Sequence, residues 1–314
     1  MGRHRLLVFA SLATIYLVWG STYLAIRVMV ETMPPLFAAG FRFLFAGGIM
    51  YVWLYSRGGR ARLRVTPREL VASLLIGALL LLGANGLVTL AEQEAPSGLS
   101  ALIIAAVPLW VVVLRLLWRD RVPAVTLAGV GAGFAGVAFL VAPGGRPGGI
   151  ALWSLLTLVA ASAAWALGSF LSRHVPLPRD VFVAIAAEQV LGGLLLVAVG
   201  LAAGEGPKLH PEAFSGRSIV AFVYMVTAGS LLAFTAYVWL LHNAPISTVA
   251  TYAFVNPVVA VLLGWAILSE RLTVGIVIAA AVIVASVWLV VKTENPVEDT
   301  PTDVRPGGPA AETR

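Results

Sequence analysis

The sequence predicts an all-α polytopic membrane protein, with ten transmembrane helices arranged as two inverted-topology repeats of five helices each. Three observations predict it. Of 314 residues, 60% are hydrophobic and only 11% are charged, against about 25% charged in a soluble domain. The apolar residues fall into ten long runs. The last five runs repeat landmarks of the first five at an offset near 149 residues.

Composition excludes several classes at once. The mean hydropathy is +0.94, and no single core can hide that much apolar surface from water. An ordinary cytoplasmic enzyme, a secreted disulfide scaffold and a disordered chain all fail on this count. There is no cysteine, so there is no disulfide, thiolate metal ligand or Cys nucleophile. A net charge of +6 and a pI near 10.1 would suggest nucleic acid in a soluble protein. In a membrane protein such arginines belong to cytoplasmic loops, and nucleic acid is not an expected partner.

A transmembrane helix needs about 20 mostly apolar residues. The runs cover roughly 6–29, 34–56, 69–91, 97–118, 124–142, 149–172, 181–203, 218–241, 246–268 and 273–292. Pro, Gly or charge marks most breaks, as in Met33-Pro34-Pro35, Glu92-Gln93-Glu94-Ala95-Pro96, Pro143 to Pro147, Asn243-Ala244-Pro245 and Ser269-Glu270-Arg271. Backbone groups in lipid must be satisfied internally, so continuous runs are helices; barrel strands would alternate. The first run is longer than a signal-peptide core and lacks a small-residue cleavage site, so it reads as an uncleaved helix. Residues 293–314, rich in Pro, Glu, Asp and Gly, are expected to be a disordered cytoplasmic tail.

Lys and Arg give the orientation. With the N-terminus inside, cytoplasmic segments hold fourteen of them and outer segments five: Arg27, Arg146, Lys208, Arg217 and Arg271. Both termini are therefore expected in the cytoplasm of a bacterial inner-membrane protein.

The internal repeat divides the chain into residues 1–145 and 146–292. Ala95-Pro96 leads to Pro108, and Ala244-Pro245 leads to Pro257, the second proline twelve positions after the first in each. Asp120-Arg121 follows the fourth run and Glu270-Arg271 the ninth. Tyr16, Trp19, Tyr23 and Arg27 share their spacing with Ser162, Trp165, Ser169 and Arg173. Gly47-Gly48 parallels Gly192-Gly193. Five spans is an odd number, so the two halves enter the membrane from opposite sides, as in many secondary transporters.

Trp19-Gly20-Ser21-Thr22-Tyr23, Arg42-Phe43, Ala95-Pro96-Ser97 through Pro108-Leu109, and Asn256-Pro257 through Ser269-Glu270-Arg271-Leu272 resemble the EamA family of the drug/metabolite transporter superfamily. The likeness runs over about residues 6–292 and is strongest to the YedA-type subgroup. It implies a ten-helix inner-membrane exporter of amino acids and related metabolites. Arg119-Asp120-Arg121 departs from the Gly-Glu pair usual in the family's first repeat.

Tyr16, Trp19 and Tyr23 share one helical face and are expected to line a central cavity with Trp165; the alternative is interfacial anchoring and packing. Arg42 and Glu188 are the most deeply set charges, each about 10–12 Å into its helix at 1.5 Å per residue. One reading has Arg42 hold a substrate carboxylate and Glu188 serve as proton-coupling or ammonium-binding group. The other makes both polar locks between helices. Asn85, Thr89, Ser169, Tyr237, Thr248, Tyr252 and Asn256 can supply hydrogen bonds to substrate, or to their own helices. Pro108 and Pro257 remove helical hydrogen bonds and are expected to be a matched pair of hinges.

Gly131-Ala132-Gly133-Phe134-Ala135-Gly136 matches a dinucleotide fingerprint, but no strand precedes it. Gly129 and Gly133 read as a small-residue packing face. The four histidines are scattered and suggest no metal site. No nucleotide-binding lysine motif or nucleophile–base pair is present, so neither a cofactor nor an enzyme activity is expected. The expected function is export of a small metabolite, most simply an amino acid, by alternating access. Its drive is either a proton gradient or the substrate's own. The other classes are export of different metabolites or cationic drugs, and a channel-like facilitator.

Overall fold

The computed structural model describes residues 3–142, 149–244 and 246–294; the break at Pro143 to Pro147, Pro245 and the tail from 295 lie outside the described residues. Among the described residues, nine helices are long and apolar enough to cross a membrane, and a shorter apolar helix, Tyr252–Leu268, adds a tenth. In chain order they are α1 (Arg3–Met29), α2 (Pro35–Arg62), α3 (Pro67–Ala91), α4 (Ser97–Leu117) and α5 (Ala124–Val141). The second half has α6 (Leu152–Leu171), α7 (Val181–Ala202), α8 (Gly216–Tyr224, Met225–Leu232 and Ala233–Asn243), α9 (Ile246–Val249 and Tyr252–Leu268) and α10 (Val274–Glu294). Thr293 and Glu294, assigned to the tail by composition, extend α10; the Thr126 hydroxyl donates to Thr293 Oγ1 at 2.9 Å.

Local chemistry starts these helices where the breaks fall. Pro35 and Pro67 occupy first-turn positions, where no amide hydrogen is needed. Thr66 and Glu69 form a reciprocal capping box on α3. Asp180 and Ser215 accept from the first-turn amides of α7 and α8. Gly59 takes φ +60°, which marks a break near the end of α2 that only glycine adopts freely.

Besides α2, four helices are not continuous α-helix, contrary to the uninterrupted runs in the sequence. α3 passes through a π-helical stretch at Ala78–Gly86 and α8 through one at Met225–Leu232. α4 breaks at Ala105–Ala106 and α9 at Ala250–Thr251. Such wide turns cluster where a helix lines a functional cavity. Hydrophobicity does not report them, because backbone pitch leaves the side-chain composition unchanged.

The packing is symmetric under exchange of the halves. α1 packs on α8 and α9, and α6 packs on α3 and α4. α2 packs on α7, α4 on α9 and α5 on α10. Small residues allow the closest approaches. A Cβ at Gly40 would lie 3.0 Å from Gly193 O, and one at Gly193 would lie 2.9 Å from Gly40 O. Two glycines of the dinucleotide-like string, Gly133 and Gly136, face α10, where a Cβ at Gly136 would sit 2.9 Å from Ile283 Cγ1, while Gly131 meets nothing within 4 Å. Large apolar side chains such as Val52, Leu117, Val220 and Val274 are exposed around the outside, as a lipid-facing surface requires.

The chain after α4 and after α9 turns through left-handed residues, Arg119 (φ 63°) and Ser269 (φ 54°). These are equivalent positions of the two halves. Glycine would suit either place better, since a left-handed residue ends a helix most easily without a Cβ.

Candidate functional site

A cavity of about 160 Å³ lies at the centre, where both halves and both π-helical helices meet. α1 contributes Trp19, Thr22 and Tyr23, and α2 contributes Arg42 and Phe43. Asn85 comes from α3, Pro108 from α4 and Trp165 from α6. Phe234, Tyr252, Asn256 and Pro257 come from α8 and α9. Nine of the residues singled out in the sequence therefore share one wall.

Arg42 is the cavity's cation. It is 5% exposed. Its Nε donates to Ser230 Oγ in the π-helical stretch of α8 at 3.0 Å, and its guanidinium lies 4.4 Å from the Phe43 ring centre. Among the described residues it has no carboxylate partner, so its terminal nitrogens keep donors for a ligand. Asn256 is its polar complement. It is buried, lines the same cavity, and its Oδ1 accepts no hydrogen bond. A buried acceptor without a donor is costly, and a bound cationic or N–H group would relieve it.

Aromatic rings form one end of the cavity. Trp19 lies 5.5 Å from Phe234, 5.2 Å from Tyr237 and 5.4 Å from Tyr252, ring centre to ring centre. The Trp19 indole donates to Gly229 O at 3.3 Å. Tyr237 supports these rings from behind without lining the cavity. Tyr16 also lies outside the wall, with its hydroxyl hydrogen-bonded to Thr251 at the break in α9.

Other expected residues sit elsewhere. Ser169 and Glu188 do not line the cavity; Glu188 is half-buried on α7, where that helix packs on α2 and α3. No ion pair joins it to Arg42. The Asn85 amide donates to Leu80 O at 2.9 Å, and the Thr89 hydroxyl to Asn85 O at 2.7 Å, so both serve the π-helical turn. Pro108 lies in the first turn of the second segment of α4, while Pro257 lies inside α9. Sequence reasoning missed Thr22, Phe43 and Phe234 as lining residues. Phe43 carried a signal, since it directly follows Arg42.

One end of the bundle, where α1, α3, α7 and α9 finish, is closed by carboxylates. Glu270 accepts from the Ser97 N–H and hydroxyl at 2.7 and 2.8 Å, and from the Gly98 N–H at 3.0 Å. Glu205 accepts from the Leu36 and Phe37 amides at 3.1 and 3.0 Å. Each carboxylate thus caps a helix start, of α4 and α2, that Pro96 and Pro34 cannot cap. At the other end Arg62 meets Asp180 at 2.7 Å. Burial works against the Asp180 charge, but Arg62 and the Phe182 amide outweigh it and hold the carboxyl below the usual range. Among the described residues no three His, Asp or Glu side chains gather to hold a metal.

Residues 6–142 and again 152–292 match the EamA-like transporter family. The chain belongs to that family. Its relatives include the inner membrane transporter YedA of Escherichia coli (strain K12), 37% identical over 290 residues that cover 92% of both chains. The transporter YvbV of Bacillus subtilis (strain 168) is 27% identical over 282 residues, 89% of this chain and 90% of that one. A crystal structure 21% identical in sequence shares the fold with a TM-score of 0.60, covering 91% of this chain and 95% of its own. The two matched stretches of this EamA protein each hold five of the ten helices. The cavity is lined by residues of both stretches.

Proposed function

We propose that the protein is a secondary transporter of the inner membrane that exports amino acids by alternating access. Both termini lie in the cytoplasm, and the two five-helix halves have inverted topology. One observation carries the substrate class: Arg42 and Asn256, from opposite halves of the chain, line one aromatic cavity with complementary free hydrogen-bonding capacity. A guanidinium with unused N–H donors suits a carboxylate. An unpaired carbonyl oxygen beside Trp and Tyr faces suits an ammonium. A free amino acid carries both groups on one carbon.

The exchange symmetry of the packing supports alternating access, because swapping the conformations of two matched halves turns one access state into the other. Pro108, just after the break in α4, and Pro257, inside α9 six residues beyond its break, are the pair of hinges of this reading. Counterflow in proteoliposomes preloaded with unlabelled amino acids tests it. Saturable entry of labelled amino acid is expected; no signal across the panel from folded protein removes amino acids as substrates. Unsaturable entry favours a channel-like facilitator.

A further inference from the structure

Glu92 stands apart from the other carboxylates of the closed end. It directly follows α3, one turn beyond the cavity residue Val88, and it is fully buried. Neither of its oxygens has a hydrogen-bond partner. The groups around it compensate its charge only in part. From α1, the Arg27 guanidinium donates to the Glu92 backbone carbonyl rather than to the carboxylate. Also from α1, Tyr23 packs against the apolar cluster that holds Val88, Ala91 and Ala95. From α4, the Ser100 hydroxyl donates to Pro96 O at 3.1 Å. From the turn after α9, Glu270 is a like charge already held by three donors of α4. The carboxyl also sits at a helix C-terminus, the negative end of the helix dipole.

We propose that Glu92 is a proton-binding site whose occupancy seals this end of the cavity: neutral Glu92 closes it, and ionised Glu92 opens it. A buried carboxylate without a hydrogen-bond partner is held in its charged form at high cost unless water or a cation reaches it, because its desolvation is compensated only in part. Ionisation must therefore bring water between α1, α3 and α4, which is the opening of a path from Val88 and Tyr23 to the surface. Burial, the largest influence, and the neighbouring Glu270 push Glu92 well above the usual carboxylate range, with Ser100 and Arg27 offsetting part of this. The sealed, buried state therefore favours the protonated form. The inference rests on the transporter reading only in giving the seal a purpose; the proton site itself needs no substrate to be tested.

The absence of native cysteine gives a clean reporter. Ala95, fully buried beside Glu92, is replaced in A95C, and labelling by a water-soluble maleimide is followed against pH in detergent micelles, with the rate corrected for thiolate content using a free thiol. The corrected rate should rise with pH by about tenfold per unit through the opening range, as one proton per opening requires. A95C/E92Q should stay slow and flat, and A95C/E92D should keep a pH-dependent rise. Infrared difference spectra of the cysteine-free protein should show a protonated carboxyl band that E92Q alone removes. A pH profile shared by A95C and A95C/E92Q, or no rise in A95C, overturns the proposal. Failure of amino-acid counterflow beside an intact Glu92-dependent profile removes the substrate class and leaves the proton site.

Discussion

The Glu270 carboxylate and Ser97 are joined twice across 173 residues, through the Ser97 amide at 2.7 Å and its hydroxyl at 2.8 Å. The contact ties the turn after α9 to the first turn of α4, and so ties one half of the protein to the other. It gives the Glu-Arg pair of the sequence a physical role: the carboxylate supplies the cap that Pro96 cannot.

Removing that cap leaves several buried donors unpaired. E270A should lower stability by about 2–3 kcal/mol, while S97A, which keeps both amide bonds, should cost about 1 kcal/mol. Thermal unfolding in detergent, read by loss of helical circular dichroism, measures both.

Arg119 occupies a left-handed turn in which Ser269 is its counterpart. An L-residue is disfavoured there by about 1–2 kcal/mol, part of which glycine returns as lost chain entropy. R119G should therefore raise stability by up to about 1 kcal/mol, seen as a higher midpoint in the same unfolding assay.

The close crossing of α2 and α7 leaves no room beside Gly193. A Cβ there would meet Gly40 O at 2.9 Å and Leu44 Cγ at 3.0 Å. G193L should destabilise by about 3 kcal/mol or more through overpacking, whereas the open Gly48 should accept alanine without loss. The yield of monodisperse protein after purification distinguishes the two.

Asp180 contributes a pH dependence with a defined sign. Its folded-state pKa is depressed, owing to Arg62 and the Phe182 amide working against burial. Its stabilisation is present above the unfolded Asp value of about 3.9 and fades as pH falls through the lower folded value. D180N should be less stable than wild type at neutral pH, and the gap should close in acid. Unfolding midpoints at a series of pH values below neutrality measure this.

Much of the fold was legible in the residues, because lipid imposes one rule: apolar helices of fixed length between polar breaks. The cavity wall was legible where a charge or an aromatic ring stood out, as with Trp19, Arg42, Trp165 and Tyr252. Depth along a helix does not say which face a residue presents. Glu188 and Arg42 lie at similar depth, yet only Arg42 faces the cavity. Glu92 was hidden for the opposite reason. It stands in a charged break that looks like a surface loop, yet it is fully buried with Arg27, Ser100 and Glu270 around it. The π-helical stretches of α3 and α8 left no compositional trace, although they bring Asn85 and Ser230 to their places.

The central claim is that Arg42 receives a carboxylate inside the cavity. The direct measurement is counterflow in proteoliposomes driven by amino acids, compared with the amines that lack only the carboxylate, for wild type and R42K. Saturable counterflow with amino acids and none with the amines is expected. Lysine keeps the charge but loses the fork, so R42K should weaken half-saturation by about tenfold to a hundredfold, the range of a charged hydrogen bond. Equal counterflow by the amines, or R42K indistinguishable from wild type, would contradict the account.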